Sequence, residues 1–275
     1  MIFSKKLCFN SSLPRSGSTL LQNILSQNPR FYSSATSGLI DLLFSSRAYF
    51  SQGVEFKAQD GGLMREAFRG YCEFAIHGYY EYITDRPVCV DKSRSWFHYY
   101  DWLKTFQPEP KIIVCIRDLR AILSSMEKLY RKNRHLQDRS EDVLKMNMLT
   151  VDNRILHWLN SAPVGIAHAR LIDAIQLGHH KRFCFVRFED LTTTPEAVMR
   201  KVYDYLGEEY FSHDFENVEQ ATFENDQLHG IYGDHQIRGK VAPVAPDYHE
   251  VLGREVSNSI KTDNPLFYST FYPEK

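Results

Sequence analysis

Long apolar runs are missing from this chain. The longest, around Ile112–Ile116 (IIVCI), falls far short of a bilayer span. Met1 to Lys6 lead straight into the first apolar segment, so no hydrophobic leader is expected. Charge of one sign is missing too: 33 Lys and Arg stand against 34 Asp and Glu, a formal net charge of −1. No overall field therefore recruits nucleic acid or an anionic membrane, and any bound anion must be met by a local group of cations. Cysteine is scarce: five residues, no C-x-x-C, and no spacing with histidine that suggests a metal cage. Cys8, Cys89, Cys115 and Cys184 lie inside apolar runs, where thiols behave as small buried hydrophobes. The expected compartment is reducing and cytoplasmic. Internal repeats and low-complexity tracts are also lacking.

What is present is an alternation of strand and helix signals along 275 residues, enough for one large α/β domain with a sizeable core. Short, almost continuous apolar runs at Lys6–Asn10, Pro87–Asp91, Lys111–Ile116 and Lys181–Val186 predict strands covered on both faces of a parallel sheet. Helical patterns fill Ser18–Gln27, Leu39–Phe50, Leu63–Tyr82, Trp96–Phe106 and Ala121–Arg131. Leu144, Met148, Val151, Ile155 and Leu159 recur at helical spacing, Pro163 interrupts, and a further helix is expected near Ile166–Leu177. Pro195 sits at a helix first turn, and EAVMRKVYDYLG ends on Gly207. The expectation is a P-loop-like three-layer α/β fold, a central parallel sheet flanked by helices, over residues 1–275. Helical insertions are expected at about 31–82 and 131–178, and an irregular segment at about 223–275.

Ligands of open α/β sheets bind beyond the carboxyl ends of the strands. After the first strand comes SLPRSGST (Ser12–Thr19), a small-residue turn before a helix: the shape of a phosphate-binding loop. Measured against G-x-x-x-x-G-K-[ST], Ser12 replaces the first glycine and Ser18 replaces the lysine that grips a triphosphate. Pro14, Arg15, Ser16, Gly17, Ser18 and Thr19 remain candidates for holding one anion. The loop offers backbone N–H groups, a close approach at Gly17, a planar arginine fork and three hydroxyl donors. After the second strand comes Asp91-Lys92-Ser93-Arg94, and after the third Arg117-Asp118-Leu119-Arg120. Ser125 lies about two helical turns past Arg117, so that pair forms a second anion site. The fourth strand leads into Arg187-Phe188-Glu189-Asp190. Two separated anion sites fit a nucleotide phosphorylated at two places.

LPRSGST followed by LL, then IIVCIRDLRAILSSM, then VRFEDLTTTPE resemble the PAPS-dependent sulfotransferases, above all the Golgi and tyrosylprotein type and their bacterial relatives. PAPS is 3′-phosphoadenosine 5′-phosphosulfate, and PAP the bisphosphate it leaves. The resemblance runs from about Lys6 to Gly207. It implies transfer of a sulfuryl group from PAPS to a hydroxyl acceptor (peptide, carbohydrate, alcohol or phenol), with no metal required. By position it implies that the first loop holds the 5′-phosphosulfate and that Arg117 with Ser125 holds the 3′-phosphate. Lys92 and Arg15 then stabilise charge on the transferring group, Phe188 lies near the adenine, and Arg238 with Lys240 supplies a late basic loop. Golgi-type members place a glutamate shortly after the first helix, where this chain reads NPRFYSSATSGL with no carboxylate before Asp41. Asp91, Asp41 and His98 stay open as the general base, with Asp91 equally able to hold Lys92 in place. The histidines, His229 and His235 included, are expected at the surface or in packing, and WFHYYDW (Trp96–Trp102) in the core. A P-loop kinase or NTPase, and a non-catalytic PAP-binding relative, are the alternative functions.

Overall fold

The computed structural model describes residues 3–133 and 148–273. Five parallel strands form one sheet: β1 (Lys6–Ser12), β2 (Phe31–Thr36), β3 (Val88–Lys92), β4 (Lys111–Ile116) and β5 (Cys184–Arg187), in the order β2-β3-β1-β4-β5. Four were expected. The fifth, β2, lies within the stretch read as a helical insertion, and its sequence FYSSAT lacks an apolar run because it is an edge strand, paired among the described residues only with β3.

Side chains alternate across the sheet and build a core on each face. Leu7, Phe9, Cys89, Ile112 and Val114 pack with Trp96, Trp158 and Phe267 on one side. Cys8, Val88, Val90, Ile113 and Cys115 pack with Ile24, Met199 and Tyr203 on the other. Helices cover both faces, which makes the three layers. All five cysteines are buried and free, and burial pushes the Cys8 thiol up to about 12.

Most helices fall where periodicity puts them: Ser18–Ser26, Leu39–Gln52, Gly61–Glu81, Leu119–Asn133, Val151–Asn160, Val164–Gln176 and Pro195–Leu206. Gly207 (φ 68) ends the last of these in the left-handed conformation that glycine adopts without penalty. Leu144, which entered the helical pattern before Pro163, lies outside the described residues. Two expectations need correction. Trp96–Phe106 is helical only at Tyr100–Leu103, although Trp96, Phe97, Tyr100, Leu103 and Phe106 are all buried, so turns satisfy the same apolar spacing. The segment from about 223 is irregular only at first: Tyr248–Leu252, Arg254–Asp263 and Pro265–Phe271 are helices.

The sheet order places the site. The chain moves outward from β1 to the β2 side and later crosses back to β4 on the other side. The crevice at this reversal lies between the carboxyl ends of β1 and β4. In register Ser12 stands beside Cys115 and Asn10 beside Lys92, so the loops after β1, β3 and β4 open at one edge. No helix among the described residues is long and apolar enough to cross a membrane.

Candidate active site

A cavity of about 310 Å³ opens at that edge, lined by Ser12–Leu20, Lys92, Arg94, Arg117, Ser125 and residues of the 232–244 segment. Its floor is the loop after β1. Arg15 (φ 58) and Gly17 (φ 85) both adopt left-handed backbone, curling the chain into the Ser18–Ser26 helix. Gly17 is the helix N-cap and no side chain caps it, which leaves the first N–H donors to a ligand. A Cβ on Gly17 would meet Phe188 Cδ2 at 2.6 Å, so glycine is demanded by contact as well as by backbone.

Ser16 does not supply a donor hydroxyl. It is buried, and its Oγ lies 2.6 Å from the Leu13 carbonyl and 2.9 Å from that of Cys115. Together with Leu13 N–H on the Cys115 carbonyl at 3.0 Å, it locks the loop onto β4. Only the Ser16 backbone remains for an anion.

Arg117 and Ser125, the pair expected to hold a second anion, both contact Arg15. Arg15 Nε donates to Ser125 Oγ at 3.1 Å, and Arg117 Nη1 donates to the Arg15 carbonyl at 3.2 Å. Arg117 lies 4.3 Å over the Phe188 ring. Phe188 therefore presses between Gly17 and Arg117 and holds the two loops together. Asp118, beside Arg117, turns away to pair with Arg120 through both oxygens and to accept from Tyr268. Glu189 accepts from the Asp118 N–H and from Tyr272, tying the F-E-D-L segment to the C-terminal helices.

One residue that the motifs do not mark answers Arg15 directly. Asp234 accepts from Arg15 Nη1 through its carbonyl at 2.8 Å and from Nη2 through its carboxylate at 2.5 Å. An acidic side chain thus occupies the fork that suits an anionic ligand. Arg15 and Lys92 consequently have separate partners within the cavity. Lys92 Nζ donates to Thr19 Oγ1 at 3.0 Å and to Glu224 Oε1 at 2.8 Å. Arg238 and Lys240 reach the cavity lining, with Lys240 also paired to Glu216 at 2.5 Å. Lys128, on the same helix as Ser125, joins them.

None of the three base candidates borders the cavity. Asp91 is 1% exposed and faces away from Lys92, as strand alternation requires. Trp96 Nε1 donates to one of its oxygens at 2.6 Å and the Tyr80 hydroxyl donates to the other, while burial pushes its carboxyl up. Asp91 therefore neither borders the cavity nor holds Lys92, whose carboxylate partner is Glu224. Asp41 and His98 are exposed on the protein surface.

The carboxylate that does reach Lys92 comes from far along the chain. Glu224 Oε1 accepts from the Thr36 N–H and hydroxyl, each at 3.0 Å. It therefore sits at the end of β2, beside the NPRFYSSATSGL stretch that carries no carboxylate of its own. Burial would raise its carboxyl, but the Lys92 ammonium and the hydrogen bonds from Lys92 and Thr36 outweigh it and hold it at about 2. Beyond Glu224 stand His229 and His235, whose Nε2 atoms lie 3.4 and 3.3 Å from Oε2. His235 Nδ1 lies 2.6 Å from Asp226. His229 lies at the surface as expected and His235 is half-buried, and with Glu224 they make a carboxylate–imidazole cluster that the sequence spacing concealed.

The chain matches the model of the sulfotransferase family over residues 9–212. No curated protein sequence matches it. Among solved structures it is similar to the sulfotransferase domain from the curacin biosynthetic pathway, with 15% identity, 94% of this chain and 97% of that one covered, and a TM-score of 0.55. It is also similar to sulfotransferase STF9 from Mycobacterium avium, with 15% identity, 98% and 78% coverage, and a TM-score of 0.56. A sulfotransferase from Alicyclobacillus acidocaldarius matches at 14% identity, 98% and 97% coverage, and a TM-score of 0.50. At these identities the structures establish the fold, and the family follows from the family model: this chain belongs to the sulfotransferase family.

Proposed function

We propose that the protein transfers a sulfuryl group from PAPS to a hydroxyl on a peptide, carbohydrate, alcohol or phenol. The observation that carries this is a single cavity with cationic groups at two places, the uncapped loop with Lys92 and the Arg117–Ser125–Lys128 side. A donor with phosphates at both ends of its ribose matches that division. A triphosphate does not, and Ser18 stands where its lysine would be.

In the reaction the bond between sulfur and the bridging 5′-phosphate oxygen breaks, and a new bond forms between sulfur and the acceptor oxygen. PAP leaves with the electron pair of the broken bond. Such loose transfers are accelerated by positioning and by charge stabilisation. The loop N–H groups and Lys92 meet the charge gathering on the leaving oxygen. The acceptor proton passes to His235 Nε2. Its Nδ1–H is committed to Asp226, which fixes the tautomer with the Nε2 lone pair available, and the ring borders the cavity. Glu224 Oε2, 3.3 Å away, stands ready to stabilise the imidazolium.

The test is incubation with PAPS and a panel of phenols, sugars and peptides, with sulfated product read by mass spectrometry. Product formation, falling on the order of a hundredfold in Lys92→Ala while PAP still binds, is expected. PAP binding with no product from any acceptor would make this a binding-only relative, and magnesium-dependent ATP turnover would make it a kinase or NTPase.

A further inference from the structure

We propose that Glu224 Oε2, His229 Nε2 and His235 Nε2 form a binding site for a divalent transition-metal ion of the zinc type, and that the bound ion arrests sulfuryl transfer. The second half rests on the function proposed above; the first half does not.

Three observations converge. The donor atoms lie within 4.8 Å of one another, and the two imidazole nitrogens stand 3.4 and 3.3 Å from the carboxylate oxygen. Those separations are long for charge-assisted hydrogen bonds, which run at about 2.7–2.9 Å. They match the edge of a tetrahedron about zinc, because metal–ligand distances of about 2.0–2.2 Å place neighbouring ligands about 3.3–3.5 Å apart.

The second observation is the oxygen itself. Oε1 of Glu224 is fully engaged by Lys92 and Thr36, whereas Oε2 is buried with no hydrogen-bond partner among the described residues. A buried carboxylate oxygen left without a donor is costly, and an ion between it and two imidazoles removes that cost.

The third lies behind the ligands. Asp226 holds His235 Nδ1 at 2.6 Å and accepts the His235 backbone N–H at 3.1 Å on each oxygen. A carboxylate that takes the far N–H of an imidazole is the usual outer support of a metal-binding histidine. Two imidazoles with one carboxylate suit zinc, cobalt, nickel or copper over magnesium or calcium. Because His235 borders the cavity, an ion drawing on its Nε2 lone pair removes the proton acceptor from the reaction.

His229 separates the two halves of the proposal. It belongs to the metal cluster but has no part in the proposed proton transfer, and its side chain is 40% exposed, so its replacement spares the core. The experiment titrates zinc into chelator-stripped protein against a chromophoric competitor, for the wild type, His229→Ala and Asp226→Asn. One equivalent is expected in the wild type, with affinity lowered at least tenfold in His229→Ala and 10–100-fold in Asp226→Asn. Wild-type binding no tighter than that of His229→Ala, or no binding, overturns the site. Zinc added to the turnover assay is expected to inhibit the wild type along its binding curve and to spare His229→Ala, whose metal-free rate is unchanged. Inhibition that is equal in both proteins overturns the regulatory half. If no acceptor yields product, the binding titration still decides the site by itself.

Discussion

At the scale of single residues, Asp234 holds both Nη atoms of Arg15 at the mouth of the loop after β1, and Glu224 holds Lys92 beside it. Arg15, Gly17 and Arg117 follow a strand within a few positions, Lys92 ends β3, Ser125 lies about two helical turns into the helix after β4, and all five line the cavity. Asp234 and Glu224 touch Arg15 and Thr36 across separations of 219 and 188 residues, which no local pattern reveals. The available signal was compositional: ENDQLHGIYGDH gathers acids and histidines on a segment with no apolar period. Asp234 also carries a prediction. Under the proposed function its carboxylate would compete with an anionic ligand for the Arg15 fork, in a partly exposed pair worth up to about 1 kcal/mol. Asp234→Ala is therefore expected to bind PAP about twofold to fivefold more tightly by calorimetry, and weaker binding would show that Asp234 supports the site instead of occupying it.

At the scale of elements, period and punctuation locate buried strands and amphipathic helices, and fail at edges. β2 was missed because Ser33, Ser34 and Thr36 lack the apolar run of a central strand, and because only one flank is paired among the described residues. The Arg254–Asp263 helix offers no apolar stripe to read, because REVSNSIKTD buries only Ser257 and Ile260. The turn into the first helix was readable from Gly17, and the structure adds the reason for it: Phe188 leaves no room for a Cβ. Gly17→Ala therefore combines left-handed strain with a clash, a cost of order 1–3 kcal/mol at the backbone alone. Lower thermal stability and at least tenfold weaker PAP binding are expected. Unchanged binding would mean that the loop backbone is not the anion cradle.

At the scale of the whole molecule, sheet order and layers follow from alternating strands and helices, and the crevice follows from the chain's reversal at β1. Stability should carry a pH signature from the layer beneath. His213 is buried among Tyr203, Tyr210, Phe211 and Phe215, and burial pushes its imidazole down from 6.5 to about 4. A depressed imidazole is neutral in the folded state, so the unfolded chain binds the extra proton. Its contribution is complete above pH 6.5 and is lost progressively as pH falls toward 4. Between pH 7 and 5 the loss is about 2 kcal/mol. His213→Phe should flatten the pH dependence of urea unfolding by that amount, and an unaltered slope would place the titrating group elsewhere.

The proposed function requires one cavity to hold a nucleotide by two separate phosphates. Its most direct measurement is the affinity for PAP and for adenosine 5′-monophosphate, in the wild type and in Arg117→Ala. A hydrogen-bonded charge of this kind contributes about 1.5–3 kcal/mol. The wild type is predicted to prefer PAP by at least tenfold, and Arg117→Ala to lose most of that preference while binding the monophosphate unchanged. Equal affinity for the two nucleotides in the wild type, or a preference that survives Arg117→Ala, would contradict it.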